Sequence, residues 1–299
     1  QQTKKSLTRL VIRFDLRPGC SKCKRRGFGI VNEVAFVGAG KMVSAIVKSL
    51  LHTSSFKPSD LVCCSARDGT SERLAEETGI QRSNSLLEML DSSPEVLVLG
   101  CKPQQLAELP SEVSDKTAGI IVLSIMAGIT LERLSEAFPK ARNIVRSMPN
   151  TPGQIGEGVT GYLFAQGPSS GDAQLVNKVL SSLGEACLVE FEDDIDRVTA
   201  ISGSGPAYLF EFACALEKAA EDIGLSPDLA EKLSRQTIVG AAKLIEQSGL
   251  HPEELRNQVT SPNGTTQAAL ESFSSSQLRE IVIKAANAAR ERSIELSRT

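Results

Sequence analysis

Aromatic side chains are scarce, 4% of the 299 residues with no Trp and two Tyr. A surface built to stack on bases or sugar rings draws on such groups, so that class of binder is disfavoured. Histidine is scarcer still: His52 and His251 are the only two, which leaves little for a histidine metal site or a Ser-His-Asp triad. No apolar run reaches the ~18 residues that a membrane span needs. With hydrophobic residues at 41% and charged residues at 23%, the chain reads as a water-soluble globular protein of about two domains that contacts neither membrane nor nucleic acid.

Acidic residues are almost missing from the first 30 positions. Nine bases, from Lys4 to Arg26, stand there against Asp15 alone, a net of +8, whereas the formal charge of the whole chain is -3. The folded part is therefore acidic and lacks the footprint of a nucleic-acid binder. Residues 1–31 form a basic extension, expected to be either disordered or a targeting segment of mitochondrial type. Accordingly a cytoplasmic location is expected, with mitochondrion or another organelle as the alternative. The seven cysteines are odd in number and scattered, as in a reducing compartment. Cys20 and Cys23 make one C-x-x-C, but no second ligand pair follows, so no metal site is assigned.

From residue 32 to 192, β-branched runs alternate with helical patterns, which predicts βα units on a parallel sheet. The runs are Val34–Val37, Leu61–Ser65, Val96–Gly100, Ile120–Ile125, Asn143–Arg146, Val159–Phe164 and Cys187–Phe191; between them Met42–Leu51, Ser71–Thr78, Ser85–Leu90, Leu131–Ala137 and Ala173–Leu183 carry apolar residues three or four apart. The fold class is thus α/β, an N-terminal doubly wound Rossmann-type domain. Residues 193–299 read as all helix, with segments at Ala207–Ile223, Leu229–Ser248, Thr266–Phe273 and Gln277–Leu296. Their repeated alanines allow close helix packing, and their apolar faces exceed what one small domain covers, so a second copy of the chain is the expected partner.

Gly38-Ala39-Gly40-Lys41-Met42-Val43 joins the first strand to the first helix. In a dinucleotide-binding turn the first glycine makes the bend and the second lets a pyrophosphate reach the free N–H groups of the helix; the alternative is an ordinary glycine turn. Val43 stands where that fingerprint has Gly or Ala, which asks for looser packing of helix on strand. At the end of the second strand, Ser65 and Arg67 could hold a ribose 2′-phosphate. Asp60 lies at the wrong end of that strand and Asp68 falls in the following turn, so NADPH is preferred over NADH, with a solvated loop charge as the other reading of Arg67. Lys102-Pro103 and Asn150-Thr151-Pro152 leave strands at their carboxyl ends, where ligands of open α/β sheets collect. Thr260-Ser261-Pro262-Asn263-Gly264-Thr265-Thr266 runs into a helix; its hydroxyls and N–H groups suit a small carboxylate, or else Thr265 or Thr266 simply caps the helix.

These segments, together with Gly203-Ser204-Gly205-Pro206-Ala207-Tyr208, stand in the order and spacing of pyrroline-5-carboxylate reductases, and the chain resembles that family over about residues 32–298. The departures are Val43, Asn263 where the family usually has Gly, Gly249, and the extension. The resemblance implies hydride transfer from NAD(P)H to the imine carbon of 1-pyrroline-5-carboxylate, giving L-proline in the last step of proline biosynthesis. It implies Thr266 beside the imine nitrogen as the catalytic residue, and Ser261, Asn263, Gly264 and Thr265 around the substrate carboxylate. For the cofactor it implies Gly38, Gly40, Lys41 and Met42 at the pyrophosphate, Ser65 and Arg67 at the adenosine phosphate, and Asn84, Lys102 and Asn150 at the riboses and nicotinamide. It also implies an obligate homodimer through the helical third, assembling into larger rings. A protonated cyclic imine arrives already activated, which fits a chain so poor in histidine. Two alternatives stay open: another imine reductase or β-hydroxyacid dehydrogenase, using a lysine such as Lys218, Lys232 or Lys243, and a non-catalytic NADPH-binding scaffold.

Overall fold

The computed structural model describes residues 33–66 and 68–298; the basic extension 1–31, its Cys20 and Cys23, and Arg67 lie outside the described residues. All four residues of β1 (Val34–Val37) are buried, Val34 and Phe36 in one hydrophobic layer and Ala35 and Val37 in the other. A strand covered by helices on both faces has this pattern. β2 (Leu61–Cys64), β4 (Val96–Leu99) and β5 (Ile121–Ser124) are buried in the same way, while β3 (Gln81–Arg82), too short to show in the sequence, closes one edge. Helices α1 (Lys41–His52), α2 (Thr70–Thr78) and α6 (Ser170–Leu180) send Ile46, Leu50, Leu74, Val176 and Leu180 into the first layer. Leu90, Val113 and Leu134 of α3 (Leu86–Leu90), α4 (Glu112–Lys116) and α5 (Leu131–Ala137) fill the second.

With β6 (Asn143–Met148), β7 (Gly158–Phe164) and β8 (Gly184–Leu188), the sheet has the order β3-β2-β1-β4-β5-β6-β7-β8. The first six strands are parallel, but β7 runs antiparallel to β6, and β8 parallel to β7. This corrects the expected all-parallel sheet. Only residues 149–157 separate β6 from β7, too few for the dozen or more that a parallel crossover requires. β8 also begins three residues before the expected Cys187. Its start is set by glycine: a Cβ on Gly184 (φ +125°) would lie 2.1 Å from the carbonyl oxygen of Gly158, its partner in the ladder.

Beyond the sheet come α7 (Asp193–Val198), a π-helical turn over Thr199–Gly203, then α8 (Gly205–Asp222), α9 (Pro227–Ser248), α10 (Pro252–Gln258), α11 (Thr265–Ser275) and α12 (Leu278–Arg298). The four long helices match the expected segments to within about two residues, and α7 and α10 are too short for periodicity to reveal. One charge ties this region to the sheet. Arg146 of β6, 3% exposed, pairs with Glu192 at 2.7 Å and Asp196 at 3.6 Å, and Asp196 accepts a 2.6 Å hydrogen bond from Ser293 of α12. No helix among the described residues is long and apolar enough to cross a membrane.

Candidate active site

The turn after β1 is built by close backbone approach. Gly38 has φ +90°, its N–H donates to the carbonyl of Cys64 at 2.7 Å, and a Cβ there would lie 2.7 Å from the carbonyl oxygen of Gly100. Only glycine fits. Gly40 then caps α1 with its backbone alone: no side chain bonds the first N–H groups, no acid sits in the first turn, and the space over Gly40 is open. An uncapped helix N-terminus of this kind favours an anion.

Val43 does not loosen the packing as the sequence led us to expect. It is 1% exposed, and the room comes from Gly100, where a Cβ would meet Val43 Cγ2 at 2.3 Å. Gly100→Ala is therefore expected to displace α1 and cost about 1–3 kcal/mol of stability, read as a fall in Tm by calorimetry. Gly100→Ala with an unchanged Tm would show that the helix gives freely.

A cleft of about 540 Å³ opens over this turn. Its walls are Gly38–Gly40, the residues after β2 (Ser65, Asp68, Thr70), the loop after β4 (Gly100–Lys102), and Ser85 and Leu86. Ser65, Lys102, Gly38 and Gly40 thus share one cavity. Lys41 opens on the adjoining side of the turn, and Met42 packs on the core beneath it. Asn84 lies outside the cleft wall, its Oδ1 accepting from Arg82 Nη1 at 3.0 Å. Asn150 is likewise absent from the wall. It is buried, its Oδ1 accepts from Val159 N–H at 2.9 Å and its Nδ2 donates to the Ser202 carbonyl at 3.1 Å, so both ends of the amide hold the loop after β6 against β7 and the π-turn.

The residue passed over in the sequence is Asp68. Gly69 (φ +74°) turns the chain back, so that Asp68 lines the cleft and its Oδ1 accepts from the Thr70 hydroxyl at 2.7 Å and the Thr70 N–H at 3.0 Å. Those bonds, the hydroxyl's first, hold the Asp68 carboxyl below its usual range. Behind it, burial pushes the Cys64 thiol up to about 12, and burial raises Cys101 as well. Both are neutral thiols and poor nucleophiles.

In the loop before α11, Asn263 adopts φ +58° and its N–H donates to Gln267 Oε1 at 2.8 Å, while Gly264 N–H donates to the Ser261 carbonyl at 3.0 Å. Asparagine tolerates this left-handed conformation. Gly264, not a threonine, is the cap: Thr265 and Thr266 are the first two residues of the helix, and no side chain caps it. The alternative of a plain threonine cap is thereby corrected. None of these loop residues lines the cofactor cleft of the same chain.

Residues 192–296 match the family model for pyrroline-5-carboxylate reductase dimerisation, and residues 33–128 that of the coenzyme F420-dependent NADP oxidoreductases. The chain is 34% identical over 268 residues to pyrroline-5-carboxylate reductase 2 of Bacillus subtilis, spanning 89% of this chain and 95% of that one. It is 36% identical over 272 residues to the pyrroline-5-carboxylate reductase of Pseudomonas aeruginosa, with 88% and 96% covered. Among solved structures, the pyrroline-5-carboxylate reductase of Coxiella burnetii superposes with a TM-score of 0.84 at 33% identity, covering 90% of this chain and all of that one. The Plasmodium falciparum enzyme, with NADP bound, gives 0.75 at 28% identity over 90% of this chain and all of that one.

Proposed function

Since the chain belongs to the pyrroline-5-carboxylate reductase family, we infer that it reduces the imine carbon of 1-pyrroline-5-carboxylate to give L-proline, an oxidoreductase reaction on a CH–NH group. The observation that carries the reading in this chain is the open, uncapped start of α1 behind the Gly38–Gly40 turn, facing a cleft of dinucleotide scale. These residues fit a nicotinamide dinucleotide. The Gly38 bend and the open space over Gly40 would admit its pyrophosphate, the N–H groups of Lys41 and Met42 would donate to it, Ser65 and, from the sequence, Arg67 would meet its adenosine end, and Lys102 would meet a ribose; when bound, it supplies the hydride.

The substrate end is assigned to the loop 260–266. Ser261 and the N–H group of Thr265 hold the carboxylate, Asn263 and Gly264 shape the turn around it through the hydrogen bonds that their own N–H groups make to Gln267 and Ser261, and the Thr266 hydroxyl stands at the imine nitrogen. Fixing the ring by its carboxylate aligns the reacting carbon, which is where most of the rate enhancement arises. Asn84, next to the wall residue Ser85, and Asn150 are assigned to the riboses and nicotinamide, Asn150 by way of the loop that its amide holds in place. Because the loop and the cleft do not meet within one chain, the site is complete only in a dimer. The scattered, unpaired cysteines among the described residues fit a reducing compartment, the cytoplasm in this reading with an organelle as the alternative. NADPH is the preferred cofactor, with NADH accepted.

The direct test follows NADPH absorbance with 1-pyrroline-5-carboxylate as substrate. Turnover to proline is expected. No oxidation of either cofactor, with cofactor binding intact, would leave only the scaffold reading.

A further inference from the structure

The end of the cleft beyond β2 is where the adenosine ribose of a dinucleotide lies in this architecture, and its polar groups are already engaged. Thr70 directs both its hydroxyl, at 2.7 Å, and its N–H, at 3.0 Å, to Asp68 Oδ1, and Ser65 Oγ lies 3.1 Å from the same oxygen. All three residues line the cavity. The Thr70 hydroxyl and N–H, at the start of a nine-residue helix, are donors that a phosphate monoester would use there; instead both go to a carboxylate of the chain itself, beside a Ser65 hydroxyl that the Ala66 carbonyl and Ser71 Oγ share, each at 3.0 Å. The charges around them add to the effect. Among the described lining residues the charged side chains are Asp68, Glu108 and Lys102, and the single base, Lys102, belongs to the loop after β4.

We propose that Asp68 sets the balance between the two nicotinamide cofactors, its carboxylate taking the donors of Thr70 in place of a ribose 2′-phosphate. The carboxylate repels that phosphate and withholds its hydrogen-bond partners, and it accepts from the unmodified 2′-hydroxyl of NADH. Arg67 pulls the other way, as the base next in sequence that can pair with the phosphate. The preference is thus a contest between two adjacent residues, one favouring each cofactor. This rests on the cofactor reading above and not on the identity of the substrate.

The test is binding and not turnover: fluorescence titration of the full chain with NADPH and with NADH. Asp68→Ala, which frees the donors and removes the charge, is expected to tighten NADPH about tenfold while NADH stays within about twofold or weakens. Asp68→Asn, which removes the charge but keeps an acceptor, is expected to give a smaller shift in the same direction. Arg67→Ala is expected to weaken NADPH alone. Equal shifts for both cofactors in the Asp68 variants, or an unchanged NADPH affinity, would overturn the proposal, as would a wild-type chain that binds neither. A chain that binds both cofactors with the expected shifts yet does not reduce the imine would sink the substrate reading and leave this one standing.

Discussion

Replacing Thr266 by Ala should lower kcat/KM for the imine by roughly ten- to a thousandfold, about 1.4–4 kcal/mol of transition-state stabilisation. The second residue of α11, Thr266 follows a glycine cap that leaves the helix start open. Its hydroxyl is the group assigned to the imine nitrogen, and a hydrogen bond donated to the lone pair that hydride transfer creates on that nitrogen acts on the chemical step. The loss should therefore fall on kcat as well as KM. NADPH affinity should stay within about twofold, because the residue lies off the cofactor cleft. Thr266 is only half-buried, so Tm should move little, and Thr266→Ser, which keeps the hydroxyl, should recover most of the rate. Steady-state kinetics with a parallel NADPH titration decide the matter. Full turnover in the Ala variant would remove Thr266 from the reacting atoms.

What the sequence revealed and what it hid have separable causes. Strands β1, β2, β4 and β5 could be read because burial on both faces leaves a continuous apolar run, and the Gly38–Gly40 turn because a dinucleotide turn places glycine at fixed offsets from strand and helix. Asp68 could not be read in this way. Where its carboxylate points depends on the positive φ of Gly69 and on the Thr70 donors beyond it, and neither leaves a mark in composition or period. Asn150 has a role that the loop pattern does not show: a polar residue held by two prolines has the pattern of a ligand, and its amide also ties the loop to Ser202, 52 residues away in the chain. Arg146 shows the same limit. A charge inside a buried strand has no visible purpose until Glu192 and Asp196 fold against it.

Separation of two copies of the chain should abolish activity and fold together, for a reason found in burial along the helices. None of the 18 residues of α8 is buried, nor any in α11; α9 buries only Ala230 and Ser234, and α12 only Ser293. A helix layer needs an apolar layer against it, and here the second layer is missing. Leu209 and Phe210 stand 60% and 65% exposed on α8, and Ile281, Val282 and Ile283 of α12 are each about half exposed. Exposed apolar surface of this extent marks an interface. With a second copy supplying the missing layer, folding becomes linked to association, so Tm should rise with protein concentration. Light scattering at micromolar concentration should give at least twice the 31.9 kDa of one chain. Val282→Asp, which places a charge in the proposed interface, should lower that mass or leave the chain unfolded, and in either case end imine reduction, since the loop 260–266 lies between α10 and α11 within the same helical region and reaches no cofactor cleft in its own chain. A stable species of one-chain mass that still turned over the imine would refute the shared site.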